Sequence, residues 1–188
     1  MVNKMKTKDV VIIALCAAIL SVLAPLSIPL AGKVPISLAT FVVMLIGLLL
    51  GPNKGLLVVL VYIILAFIGL PIMSGFTGGA AKLLGATGGY VFGYLPLVYL
   101  TGLFGYKKSI GNKVLGMLIG TIVLYAFGTA WFVYYTKMDL KAALLACVVP
   151  FLIGDALKMV ACILLEGKLS KLFEKYYNWL FLFVNKII

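Results

Sequence analysis

The sequence predicts an all-α integral membrane protein of six transmembrane helices with a C-terminal interfacial segment. Three observations predict it: composition, the spacing of apolar runs, and the placement of the lysines. Of 188 residues, 64% are hydrophobic and 11% charged, against roughly 45–50% apolar and about 25% charged in an ordinary soluble domain. Mean hydropathy is +1.22. A span needs about 20 mostly apolar residues. The length therefore holds one six-helix domain, residues 1–188, and no separate soluble catalytic domain.

The first apolar run, 10–31, follows Lys4, Lys6 and Lys8 and imitates a secretory signal. Pro25 stands after "SVLA", where a cleavage site would be required, and hydrophobicity resumes beyond it, so the run reads as an uncleaved first span. Within it Ala14 and Ala18 form a small-xxx-small face, suited either to packing inside the chain or to docking a partner membrane protein; spacing does not decide. The second and third runs, 36–51 and 55–70, are joined at Gly51 and Pro52, a tight turn that makes the two helices antiparallel.

Between the third and fourth runs lies "PIMSGFTGGAAKLL", 71–84, rich in Gly, Ser and Thr. It reads either as a lid, with 73–79 including Ser74 and Gly75 closing over a site, or as a solvated linker. The fourth run, 84–105, opens with "LLGATGGYVFGY". Gly85, Gly88, Gly89 and Gly93 there permit close approach of backbone to a ligand or a neighbouring helix, and Tyr90 and Tyr94 add amphipathic rings. Gly89 and Gly93 also form a G-x-x-x-G with a helix-packing reading. The fifth run, 112–135, carries Gly116 and Gly120, read as packing alone. The sixth, 141–166, contains "PFLIGDALKMVA". Beyond Gly167 lysines alternate with aromatics, and the longest uninterrupted apolar stretch, 179–184, is too short to span, which suits an interfacial helix.

The sixteen basic residues are all lysine and the net charge is +11. They are scattered between apolar runs rather than gathered on one face, which argues against a nucleic-acid partner. With six spans, eleven lysines fall on one side (Lys4, Lys6, Lys8, Lys54, Lys107, Lys108, Lys113, Lys168, Lys171, Lys175, Lys186) and four on the other (Lys33, Lys82, Lys137, Lys141). The positive-inside rule then places both termini in the cytoplasm of a plasma-membrane protein. Cys16, Cys147 and Cys162 lie in apolar runs without C-x-x-C spacing and read as buried structural thiols. Histidine is absent, so there is no H-E-x-x-H zinc site and no Ser-His dyad, and no G-x-x-x-x-G-K-[ST] cradles a nucleotide. The chain is expected to have no catalytic residue, metal or cofactor, and not to hydrolyse ATP by itself.

Lys158 belongs to neither side of the membrane. A charge at the centre of a span costs about 2.5–3.5 kcal/mol on insertion scales and calls for a partner or a watery cavity. Three residues apart on a helix, Asp155 and Lys158 share one stripe. They are either a self-satisfied ion pair or the polar end of a pocket. In the second case the carboxylate accepts N–H groups and the ammonium donates to a carbonyl or carboxylate, a match for an amide or urea. Gly154 and Pro150 permit a local irregularity that opens room for a ligand.

In their order, "IPLAGKVPISLATF", "GLLLGP", "IGLPIMSGFTGG", "LLGATGGYVFGYL" and "PFLIGDALK" resemble, through nearly the whole chain, the BioY family of biotin-specific substrate-binding S components of energy-coupling factor (ECF) transporters. The resemblance implies the ECF S-component fold and capture of biotin from outside. It also implies association with a transmembrane coupling protein and two ABC-type ATPases, which supply the energy source the chain lacks. It makes Asp155 and Lys158 ligand contacts, puts Thr87, Gly88, Gly89 and Tyr90 in the pocket wall beneath a loop holding Ser74 and Gly75, and assigns Ala14 and Ala18 to docking the coupling protein. Biotin's ureido ring fits the pair, with Asp155 accepting N–H and Lys158 donating to the C=O; the reverse orientation would give Lys158 the valerate carboxylate. Two positions depart from the family pattern: Ala39 replaces a glutamine of "VPITLQTF", and Ala86 the proline of "GPTGGY". Other readings are an S component for a different vitamin, an autonomous ion-coupled carrier with Asp155 as its ion site, and an assembly subunit whose ion pair is only structural.

Overall fold

Breaks in the helices, more than the helices themselves, decide how this chain folds. The computed structural model describes residues 6–28 and 36–187, with side chains described for 6–27 and 37–172. Lys4 and Lys33 lie outside the described residues, as do the side chains of Lys175, Lys186 and the aromatic segment 179–184.

Helix α1 (Thr7–Leu23) ends earlier than the apolar run. Pro25 cannot continue it, and the chain passes instead into strand β1 (Ser27–Ile28), which pairs antiparallel with β2 (Ile36–Ser37) with Ser27 opposite Ser37. Helix α2 (Ala39–Phe67) then starts with Ser37 Oγ accepting the Ala39 N–H at 3.1 Å. Gly51 interrupts it with φ 78° and ψ −179°, a region essentially reserved for glycine. The two limbs fold back on each other there. A Cβ on Gly55 would lie 3.7 Å from the Gly47 Cα, whereas eight residues of straight helix would separate them by about 12 Å. The expected antiparallel pair is thus present, with its turn at Gly51.

The fourth apolar run is not one helix. It comprises α4 (Gly88–Phe92) and α5 (Tyr94–Gly105), and a further short helix, α3 (Ala80–Leu83), precedes it. α5 lies against both limbs of α2: a Cβ on Gly47 would meet the Val98 carbonyl at 2.8 Å, and one on Gly102 would meet the Gly51–Pro52 peptide at 2.6 Å. Helix α6 (Ile110–Thr136) lies on α5 through the other small-residue pair, Gly116 facing the Leu100 and Thr101 carbonyls and Gly120 the Leu97 carbonyl. Lys137 ends α6 in the left-handed conformation, and the Asp139 carboxylate caps α7 (Leu140–Cys147) by accepting the Lys141 N–H at 3.0 Å.

The irregularity expected near Pro150 occurs at Val148, between α7 and α8 (Val149–Ile187). Pro150, lacking an N–H, leaves the carbonyl four residues back without its helical donor. Helix α8 continues unbroken past Gly167, so the C-terminal segment is an extension of this helix and not a separate element. Among the described residues, three helical stretches are long and apolar enough to cross a membrane: Ala39–Phe67, Ile110–Thr136 and Leu140–Leu172. Because the first is a hairpin, it contributes two antiparallel rods.

Ion pairs mark one end of the bundle. Lys54, at the α2 turn, donates to Asp9 of α1 at 2.7 Å, and Lys113 of α6 to Glu166 of α8 at 2.6 Å. The 69–79 loop is tied at its middle and at its end, where the Gly75 N–H donates to the Pro25 carbonyl and the Gly79 N–H to that of Ala66.

Gly51→Ala is expected to lower the melting temperature of the purified protein, since a Cβ there carries about 1–3 kcal/mol of backbone strain and would sit 3.1 Å from the Tyr106 ring. Gly111→Ala, where a Cβ meets nothing within 4 Å, should melt like the parent. Equal melting of both variants would show that the hairpin does not depend on Gly51.

Candidate functional site

Asp155 is 4% exposed, on α8 about two turns beyond the Val148 break. An isolated buried charge is costly, and here every oxygen has a donor. Oδ1 accepts from Lys158 Nζ at 2.9 Å and from Thr40 Oγ1 at 3.3 Å, and Oδ2 accepts from the Tyr125 hydroxyl at 2.5 Å. Lys158 Nζ also donates to Thr40 Oγ1 at 2.9 Å. Thr40 comes from the first turn of α2 and Tyr125 from the middle of α6, so one carboxylate joins three helices.

These four residues line part of a cavity that is open to solvent. Its walls are largely apolar and aromatic: Tyr62, Met73, Tyr90, Val91, Tyr94, Leu124 and Phe151, with Cys147 at the α7 terminus. Ser37, Ser74, Lys82 and Thr87 add polar groups. Hydrogen bonds anchor two of these wall residues and the α3–α4 segment. Tyr62 donates to the Ile72 carbonyl at 3.0 Å, Tyr90 shares a hydrogen bond with Thr129 at 3.0 Å, and Trp131 Nε1 donates to the Gly85 carbonyl at 3.0 Å, tying the α3–α4 segment to α6.

Of the site residues expected from sequence, the structure brings Asp155, Lys158, Tyr90, Thr87 and Ser74 together around this cavity. Gly88, Gly89 and Gly75 are not among its lining residues. A Cβ on Gly88 would overlap the Leu83 carbonyl and one on Gly89 would overlap Trp131, so both serve close packing. Gly75 is exposed, and its N–H holds the loop to Pro25. All three cysteines are buried and free, and Cys147 also faces the cavity. Ala14 and Ala18 are exposed on α1 beside Val11, Leu15 and Val22, so they take no part in packing within the chain.

Sequence reasoning missed Thr40 and Tyr125, which lie 115 and 30 residues from the carboxylate they serve. The available signal was "VPISLATF", where Thr40 directly follows the Ala39 departure. Nothing marked Tyr125 among the aromatics of α6.

The model of the BioY family matches residues 1–175. A probable biotin transporter BioY of Pyrococcus horikoshii is 37% identical over 166 residues, covering 88% of this chain and 98% of that protein. A biotin transporter BioY of Thermotoga maritima is 37% identical over 156 residues, covering 82% and 91%. The crystal structure of the S-component for biotin from an ECF-type ABC transporter superimposes with a TM-score of 0.80 at 32% identity, covering 91% of this chain and 95% of that one. These similarities give the all-α S-component fold to a membrane protein.

Removing one member of the buried pair leaves the other charge uncompensated. Lys158→Met is expected to destabilise the protein by about 3–5 kcal/mol, and the double variant Lys158→Met/Asp155→Leu to recover much of that loss. Denaturation of the three proteins in one detergent checks it; a single variant as stable as the parent would show that Thr40 and Tyr125 alone satisfy the carboxylate.

Proposed function

The chain belongs to the BioY family, and from that premise we propose that it is a single-domain biotin-binding S component of an ECF-type transporter, without catalytic activity of its own. The observation carrying this reading is the cavity whose inner end presents a carboxylate beside an ammonium and whose walls are apolar. A cyclic urea offers two N–H donors and one carbonyl acceptor, and its fused sulfur ring and alkyl arm need apolar surroundings. Asp155 accepts from the urea N–H and Lys158 donates to its C=O. Thr40 and Tyr125 hold the pair in register.

The cluster carries no net charge, since one carboxylate faces one ammonium. An ion-coupled carrier needs a site that gains and loses its ion during the cycle, and a carboxylate already tied to an ammonium and two hydroxyls is poorly suited to that. Energy for uptake comes instead from partners: a transmembrane coupling protein and two ABC-type ATPases. Ala14 and Ala18 offer the coupling protein a flat, small-residue strip on α1. With six spans, the end bearing Lys54, Lys107, Lys108 and Lys113 is cytoplasmic, both termini lie there, and the cavity mouth faces outward.

Titration of the purified chain with biotin, riboflavin and thiamine should show stoichiometric binding of biotin alone. Asp155→Asn should weaken it at least about 30-fold, the effect of breaking a buried hydrogen-bonded charge pair. Binding of another vitamin in its place would redirect the specificity. In vesicles containing this chain alone, a proton gradient should drive no biotin accumulation; accumulation would overturn the dependence on ATPase partners.

A further inference from the structure

Besides the pair, the cavity has a further charged group on a different helix. Lys82, on α3, lines it half-buried. The five acidic residues of the chain are Asp9, Asp139, Asp155, Glu166 and Glu174. Among the described side chains, Asp9 pairs with Lys54, Glu166 with Lys113 and Asp155 with Lys158, while exposed Asp139 caps α7. None of them pairs with Lys82. The lining therefore carries one carboxylate and two ammonium groups, an excess of one positive charge.

The place of Lys82 is fixed by the fold. Trp131 of α6 holds the Gly85 carbonyl, and the Gly85 N–H bonds back to the Lys82 carbonyl at 3.3 Å. Tyr125, which bonds Asp155, is six residues earlier on α6, so the two attachments are separated by about 9 Å along that helix. Tyr90, Val91, Leu124 and Phe151 line the same space. The cavity thus has a charge-paired end of no net charge at Asp155 and Lys158, apolar walls, and a further cation on α3.

Resting on the biotin reading above, we infer that Lys82 is the specificity-determining residue for the ligand's acid end: its ammonium holds the valerate carboxylate while the ureido ring sits at Asp155 and Lys158. This sets the orientation of the ligand, ring inward and carboxylate toward α3. It also makes the site selective for a singly negative ligand over its neutral amide, because an amide leaves the excess ammonium without a counter-charge.

The test is calorimetric titration of the full chain and of Lys82→Met, Lys82→Arg and Lys158→Met with biotin and with biotin amide. The unsubstituted chain should prefer the acid. Lys82→Met should lose about tenfold in affinity for biotin and none for the amide, as expected for one charge-assisted contact, and Lys82→Arg should keep the preference. Undiminished preference in Lys82→Met, or equal weakening of both ligands, would overturn the assignment. So would loss of the preference in Lys158→Met with its retention in Lys82→Met, which would put the carboxylate at the inner pole. If the unsubstituted chain binds neither compound, the biotin reading itself fails and Lys82 loses its role with it; if it binds both and only the Lys82 result fails, that reading stands.

Discussion

A buried carboxylate must be satisfied by groups that themselves come from the protein, and in this chain that requirement organises the bundle around the cavity. Asp155 sits in α8 where its neighbours in sequence are Gly154, Ala156 and Leu157, none able to donate from a side chain. Its donors therefore arrive from α2 and α6 as well as from the next turn of α8. Each of these contacts makes sense only if the α2 start, the α6 middle and the α8 first turns converge. The polar cluster thus specifies which helices meet, in a setting where apolar side chains alone discriminate weakly between neighbours. Glycines bring the remaining rods close enough, Gly47 and Gly102 between α2 and α5, Gly116 and Gly120 between α5 and α6.

Those features were unequally visible in the sequence. The pair was legible because two charges three residues apart in an apolar run violate the local pattern, and such violations point to sites. Gly51-Pro52 was legible for a similar reason, since a Gly-Pro step between two apolar runs has few conformations. Thr40 and Tyr125 were not, because threonine and tyrosine are ordinary residues in a membrane helix and their partner is remote in sequence. The same holds for Lys82. On the sequence it is one of four lysines counted for topology; only the fold of α3 against α6 brings it to the cavity.

Helix boundaries erred where hydrophobicity continued through a backbone break. The first apolar run reaches residue 31 because "LSIPLA" is apolar, yet Pro25 stops α1, and Ser27 and Ile28 pair as a strand with Ile36 and Ser37. The fourth run reads as one helix because no charge interrupts 84–105, yet α4 begins only at Gly88 and Gly93 separates it from α5. Conversely, lysines after Gly167 suggested a boundary that the backbone of α8 does not have. Hydropathy reports the environment of a segment, while proline and glycine report its geometry, and the two signals diverge most around the cavity.

That divergence places different mechanical properties on the two ends of the site. The inner pole is built from side chains of three long helices, cross-tied by four hydrogen bonds centred on one carboxylate and one ammonium. The outer part is built from short pieces, α3, α4 and the 69–79 loop, held by packing and by dispersed hydrogen bonds: Gly75 to Pro25, Gly79 to Ala66, Tyr62 to Ile72, Tyr90 to Thr129 and Trp131 to Gly85. Separating the outer part breaks independent hydrogen bonds, each contributing about 0.5–1.5 kcal/mol net, and uncovers the buried Met73, Leu83, Tyr90 and Val91. Opening the inner pole would separate buried charges with no water to replace their partners. The Asp155–Lys158 end is therefore where side chains of three helices are tied to one another, and the α3–α4 side is where the backbone is divided into short pieces.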